Sequence, residues 1–224
     1  MIFLVYVLIA IISYLLGSLN FGVILSNNLK KDDVRNYGSG NAGTTNMLRN
    51  YGKKYAVLTI IGDMAKVGVA ILIAFAVLRA FPPLKSLNPG IYDRFFDEID
   101  QTIFNKSFAG FFCVLGHIFP CFFKFRGGKG VATSGGMVFM IDWRIALILL
   151  AVFVVIVFVT KYVSLGSIIM ALLYPVLIYA FHRSIPITAI ALVFTVIVVV
   201  AHRQNIVKLI NHTESKITDK KKQK

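Results

Sequence analysis

Charge is scarce in this chain, and acidic residues are the scarcest part of it. Ten Asp and Glu stand against 24 Lys and Arg, and charged residues make up 15% of the 224 positions. A soluble domain carries about a quarter, so a water-solvated globule is excluded and a polytopic membrane protein is implied. Cysteine is nearly absent. Cys113 and Cys121 stand eight apart without Cys-x-x-Cys spacing, which points away from a disulfide and from a metal site. No Gly-x-x-x-x-Gly-Lys-Ser/Thr loop occurs, because Gly130 follows Lys129 and leaves no hydroxyl for magnesium; an ATPase is excluded. Met1–Ala10 has no basic start, and no small-residue cleavage site follows it, so it reads as a retained span and not a leader.

What is present is apolar sequence in long runs, 57% hydrophobic overall. Seven spans are expected: Ile2–Leu25, Tyr55–Phe81, about Ile103–Phe119, the short Val131–Ile141, Ile145–Thr160, a sixth ending near Phe181, and Ile185–Val200. A helix needs about 20 apolar residues to cross. The loops 26–54 and 124–129, Lys161 and the C-terminal segment hold seventeen of the 24 basic residues, and the opposite loops hold six. The positive-inside rule makes the richer side cytoplasmic. The expected fold is therefore an all-α polytopic membrane protein of seven transmembrane helices, N-terminus outside and C-terminus cytoplasmic. Residues 1–212 form a single membrane domain, and 213–224 a basic cytoplasmic tail, frayed and attracted to lipid. The loop Pro82–Lys106, the only acidic stretch, is expected outside. A net charge of +14 then reflects cytoplasmic loops and anionic lipid, not nucleic acid.

The polar stretches carry the chemistry. Gly38–Arg49 reads Gly-Ser-Gly-Asn-Ala-Gly-Thr-Thr-Asn-Met-Leu-Arg. Glycines let successive N–H groups converge, and Ser39, Gly40, Asn41 and Thr44 sit among them. Thr44 or Thr45 can cap a short helix, and Arg49 adds a planar cation suited to phosphate. Lys124–Gly130, with Gly127, Gly128, Lys129 and Gly130 before an apolar run, is a second glycine-rich basic turn feeding a helix N-terminus, an anion receptor by construction. Lys161–Ser167 is a third polar turn and contains Ser164. Beyond the last span, His202, Asn205 and Leu209 fall at i, i+3 and i+7, placing His202 and Asn205 on one face of a helix. Within the second span Asp63 and Lys66 lie at i and i+3, a pair that marks either a functional site or a structural neutralisation. All three turns and the His202 face land on the cytoplasmic side. That convergence points to a site for small phosphorylated substrates at the inner membrane face.

Three stretches in order resemble the cytoplasmic motifs of the bacterial acyl-phosphate:glycerol-3-phosphate acyltransferases. They are Gly38–Arg49; Gly116-His-Ile-Phe-Pro with Lys124-Phe-Arg-Gly-Gly-Lys-Gly-Val-Ala-Thr133; and His202-Arg-Gln-Asn-Ile with Thr213-Glu-Ser-Lys-Ile217. The resemblance covers Gly17 to Ile217. It implies acyl transfer from acyl phosphate to the 1-hydroxyl of glycerol 3-phosphate, giving lysophosphatidic acid and phosphate, the first step of phospholipid synthesis, in a bacterial cell membrane. It makes Ser39 and Arg49 essential, assigns Gly127–Gly130 to glycerol 3-phosphate, gives His202 and Asn205 a supporting part, makes Glu214 structural, and matches Ser164 to a site position. His117 falls within the second motif. The chain departs from the family pattern at Asn20, where proline is usual, at Val67, where glycine is usual, and at His212, where glycine precedes the Thr-Glu pair. No cofactor and no obligate protein partner are expected; the partners are the two substrates and membrane lipid. Two rivals stand against this reading. An acyl-CoA-dependent enzyme would show His-x-x-x-x-Asp, and no histidine here has Asp five residues later. An organic-phosphate or anion transporter would favour internal repeats and paired broken helices, and no repeat is seen.

Overall fold

The computed structural model describes residues 2–81 and 98–219. Most of the polar loop expected at Pro82–Lys106 and the last lysines of the tail lie outside the described residues. The described part of that loop is helical: α5 begins at Glu98, so the span extends further toward the N-terminus than its apolar run. Among the described residues there is no strand. In hydrocarbon every backbone group must be bonded within the protein, and a helix does this inside one segment. The runs of Ile, Val and Leu are therefore helical despite their β-branched side chains.

Four helices are long and apolar enough to cross a membrane: α4 (Lys53–Ala80), α5 (Glu98–Ile118), α7 (Trp143–Thr160) and α8 (Val163–His182). Two bent pairs raise the number to as many as six. They are α1 (Ile2–Ser18) with α2 (Phe21–Lys30), bent by 40°, and α9 (Ile185–Ala201) with α10 (Arg203–Ile210), bent by 61°. Two short helices complete the described chain, α3 (Thr44–Tyr51) and the eleven-residue α6 (Val131–Ile141). At 1.5 Å per residue α6 is about 16 Å long, roughly half a hydrocarbon core. Only Ile145 and Leu149 of α7 are buried, while Leu150, Val155 and Phe158 are exposed, in keeping with a lipid-facing helix.

The breaks are chemically marked. Leu19 and Asn20 interrupt the first span, and Asn20 caps α2 by accepting from the Val23 N–H at 3.3 Å. Asp142 separates α6 from α7 and caps α7 by accepting from the Arg144 N–H at 2.9 Å. The bundle is tightest where α1 crosses α5. A Cβ on Gly17 would fall 2.0 Å from the Cys113 carbonyl oxygen, and one on Gly116 would fall 2.1 Å from that of Tyr14. Small residues let membrane helices approach at backbone distance. Below the crossing, Val67 and Ile71 of α4, Cys113 and Val114 of α5, and Met137 and Val138 of α6 belong to one buried core. This core fixes the ends of α1, α5 and α6, from which the polar loops spring.

Replacing Gly116 with valine forces α1 and α5 apart. The expected loss is about 3 kcal/mol, read as a lower unfolding temperature in detergent, whereas Gly135→Ala, where a Cβ meets nothing within 4 Å, leaves it unchanged.

Candidate active site

The Gly38–Arg49 stretch is shaped by a residue that looks incidental in sequence. Asn46 is buried; its amide nitrogen donates to the carbonyls of Val34 (2.8 Å), Asn41 (2.9 Å) and Tyr37 (3.0 Å). Its oxygen accepts from the Ser39 N–H at 3.3 Å and from the Asn50 amide at 3.0 Å. A single side chain thus folds the loop around itself, with Gly38 and Gly40 at positive φ. α3 starts at Thr44 with Gly43 as its cap, so neither Thr44 nor Thr45 supplies the capping oxygen. Arg35 joins this loop to the next. It pairs with Asp33 at 2.6 Å and donates to the carbonyls of Phe123 (2.8 Å) and Arg126 (2.7 Å).

The second turn leans on the end of α5. The N–H groups of Gly127 and Gly128 donate to the carbonyls of Ile118 (3.2 Å) and His117 (3.1 Å). A Cβ on Gly128 would lie 2.1 Å from His117 Nε2, so glycine is required there by close approach. Two of the amides expected to face an anion are therefore already committed to protein carbonyls, and the turn's exposed function falls to Lys129. Its ammonium donates to the Asn205 side-chain oxygen on α10. Asn205 in turn donates to Glu214 Oε1 at 2.7 Å, and Ser164 donates to the same oxygen at 2.7 Å. Burial pushes the Lys129 ammonium down to about 8, with Glu214 opposing the shift and Lys208 and Arg49 adding to it.

The described residues after α10, as far as 219, are seated and not frayed. His212 takes φ 55° where the family pattern has glycine, and the turn forms all the same: the N–H groups of Thr213 and Glu214 donate to the Lys208 carbonyl at 2.8 and 3.1 Å. The strap 213–219 is then tied down at both edges. Arg49 donates to the carbonyls of Ser215 (3.2 Å) and Lys216 (2.9 Å), and the Ile217 N–H donates to the Lys161 carbonyl at 2.8 Å.

Between these pieces lies a cavity of about 490 Å³. Its polar wall holds Ser39, Gly40, Asn41, Gly127, Gly128, Lys129 and Asn205, and its apolar wall is made by α5 and α9, with Leu115, Phe119, Val196 and Val200. Seven of the residues singled out in the sequence thus meet. Thr44, Arg49, Gly130, Ser164, His202 and Glu214 do not line the cavity; Arg49, Ser164 and Glu214 hold the strap instead. Asp63, Lys66 and His117 are buried together, with Lys66 Nζ at 2.9 Å from Asp63 Oδ1 and 2.8 Å from His117 Nδ1. His202 ends α9 at the 61° bend, and its Nδ1–H donates to the Val198 carbonyl at 2.8 Å. Burial drives its imidazole down to about 4. The bend also breaks the expected face: Ala201, Gln204, Asn205 and Lys208 line the cavity in place of His202 and Leu209. Arg126 of the basic turn lines the cavity as well, and Arg203 and Lys208 are lining cations that pattern reading missed; the spacing of Asn205 and Lys208 at i and i+3 was the available signal for the last.

Comparison with known proteins gives the family. Residues 7–212 match the family model described as glycerol-3-phosphate acyltransferase. A glycerol-3-phosphate acyltransferase of Bartonella henselae is 37% identical over 210 residues, covering 94% of this chain and 90% of that protein. One from Clostridioides difficile is 38% identical over 216 residues, covering 96% and 97%. Two crystal structures of PlsY (YgiH), an integral membrane glycerol 3-phosphate acyltransferase, superpose with TM-scores of 0.77 (glycerol 3-phosphate form, 35% identity) and 0.75 (lysophosphatidic acid form, 34%), each covering 94% of both chains. Bundle and cavity together are those of an integral membrane acyltransferase. The chain belongs to the glycerol-3-phosphate acyltransferase family.

Glu214 anchors the strap through two charge-assisted hydrogen bonds. Glu214→Ala is expected to cost about 2 kcal/mol, seen as a lower melting temperature and as proteolytic cleavage near residue 213 that the parent resists.

Proposed function

We propose that this chain uses an acyl phosphate as donor and transfers its acyl group to the 1-hydroxyl of glycerol 3-phosphate, releasing lysophosphatidic acid and phosphate. The observation that carries the reading is the cavity itself: one wall offers Lys129, Arg126, Arg203 and Lys208 beside Ser39 and Asn205, and the other offers α5 and α9 side chains suited to an acyl chain. An acyl phosphate is a mixed anhydride whose phosphate is a good leaving group. The protein's task is to align a hydroxyl with the acyl carbon and to stabilise anions. That fits a site rich in cations and lacking an activated nucleophile.

Transfer is direct, with no acyl-enzyme. The glycerol hydroxyl oxygen attacks the acyl carbon, the carbon–oxygen bond to phosphate breaks, and the leaving phosphate takes the electron pair. Lys129 holds one phosphate, and Asn205 with the lining cations Arg126, Arg203 and Lys208 serves the other; Arg49 and Ser164, expected at a phosphate, hold the strap in place beside them. One observation favours the substrate's own phosphate as acceptor of the hydroxyl proton: His202 is buried outside the cavity lining, and its imidazole is a weak base at about 4. Arg49 acts through the strap, which its terminal nitrogen holds by the carbonyls of Ser215 and Lys216.

The seventh crossing in this reading is α6, with the turn before it supplying the depth that eleven residues do not. The seventeen basic residues on the Gly38–Arg49 side support a cytoplasmic site in a bacterial inner membrane and an external N-terminus.

Purified protein in lipid is expected to form lysophosphatidic acid from glycerol 3-phosphate and palmitoyl phosphate and none from palmitoyl-CoA; product from the thioester alone sinks the donor assignment. Arg49→Ala should lower kcat/KM by about 10² to 10³. His202→Ala should retain measurable turnover, and complete loss with binding intact would restore His202 as the base. The pH profile follows from Lys129, whose charge is present below about 8 and lost above it. kcat/KM for glycerol 3-phosphate should therefore fall above about pH 8, and Lys129→Arg, which stays charged, should move that fall to higher pH.

A further inference from the structure

We infer that Lys66 is a positioning residue that sets the spacing of the two loops that make the cavity's polar wall, acting through His117 on the glycine turn and through the α1–α2 break on the Gly38–Arg49 loop. Its ammonium is buried, 4% exposed, and meets four groups: the carbonyls of Gly17 and Leu19 at 3.0 Å each, Asp63 Oδ1 at 2.9 Å and His117 Nδ1 at 2.8 Å. Asp63 lies one helical turn earlier on α4 and supplies the counter-charge, itself 3.4 Å from His117 Nδ1. A cation so placed holds whatever it bonds at a fixed separation, because each donor–acceptor distance is tightly constrained and a buried polar group left without its partner is costly.

Each partner leads to one of these loops. Gly17 and Leu19 lie at the α1–α2 break, and α2 carries the first loop: a Cβ on Gly22 would fall 2.0 Å from the Ala42 carbonyl oxygen, so that helix backbone abuts the loop bearing Ser39, Gly40 and Asn41. His117 leads to the second loop. Its ring lies against the Gly128 α-carbon, its carbonyl accepts the Gly128 N–H at 3.1 Å, and Lys129, the residue after Gly128, reaches across to Asn205. Ser39, Gly40 and Asn41 line the cavity from the first loop and Gly127, Gly128 and Lys129 from the second, and Lys66 is bonded to the supports of both sets. None of Asp63, Lys66 and His117 lines the cavity, so their effect on a ligand passes through these supports.

The inference rests on the acyltransferase reading of the cavity but not on the identity of the donor, and binding of glycerol 3-phosphate tests it without turnover. The protein and four variants, Lys66→Met, His117→Ala, Gly128→Ala and the His117→Ala/Gly128→Ala double, are purified in lipid. Calorimetry gives Kd, and gel filtration with melting temperature reports folding. Lys66→Met should weaken binding by about tenfold or more, as expected for losing one coupled contact of about 1.4 kcal/mol. Gly128→Ala alone should weaken it similarly, because its methyl meets the His117 ring. The double variant should bind better than Gly128→Ala, since removing the ring makes room. A folded Lys66→Met with the parent's Kd, whatever its melting temperature, overturns the inference, and so does a double variant that binds no better than Gly128→Ala. If Lys66→Met does not fold, the His117–Gly128 pair decides alone. Failure of palmitoyl phosphate as donor leaves these binding results standing.

Discussion

A helix that stops within reach of hydrocarbon leaves carbonyls that no water can meet, and the structure turns on how this one is dealt with. The first span breaks at Leu19–Asn20, and the orphaned carbonyls of Gly17 and Leu19 receive the Lys66 ammonium from a neighbouring helix. A buried ion pair alone is weak support for a fold, since desolvation offsets the attraction. Here the cation is consumed by groups that would otherwise be unsatisfied, so its removal would strand the carbonyls of one helix, a carboxylate of a second and an imidazole of a third. The close crossing of α1 and α5 at Gly17 and Gly116 depends on the same region, because Gly17 takes part in both.

From that junction the site is assembled in layers. α2 supports the first loop, which Asn46 ties into shape; the end of α5 supports the glycine turn; and a chain of hydrogen bonds runs from Lys129 through Asn205 and Glu214 to Ser164. Rigid helices carry the apolar wall, while the polar wall is made of loops held by side-chain-to-backbone contacts. The division matches what each surface must meet: a chain that needs only bulk and apolarity, and phosphates that need placed donors.

Spans and basic loops were legible because they rest on composition over long windows. The first loop, the glycine turn and Asn205 were legible because glycine, cation and amide types cluster in short stretches. What pattern reading missed has a common cause, namely that it depends on where a backbone turns. The His202 face failed because the helix bends at that residue. Asn46 resembled one more polar member of its stretch, whereas its three carbonyl acceptors come from residues five to twelve positions away. Gly127 and Gly128 resembled anion receptors, yet their amides are matched to α5 carbonyls that only the folded chain brings near. The tail resembled a disordered basic end because lysines dominate it, and Glu214, the residue that seats its described part, is one of only two acids among them.

The latch that Arg49 forms with the strap is made to main-chain carbonyls of residues 215 and 216. Such a latch cannot sense which side chains those positions carry. A proline or an insertion there would break the latch where a change of side chain would leave its acceptors in place. The strap is thus held at Arg49 by the course of its backbone and not by the side chains at the two latch points.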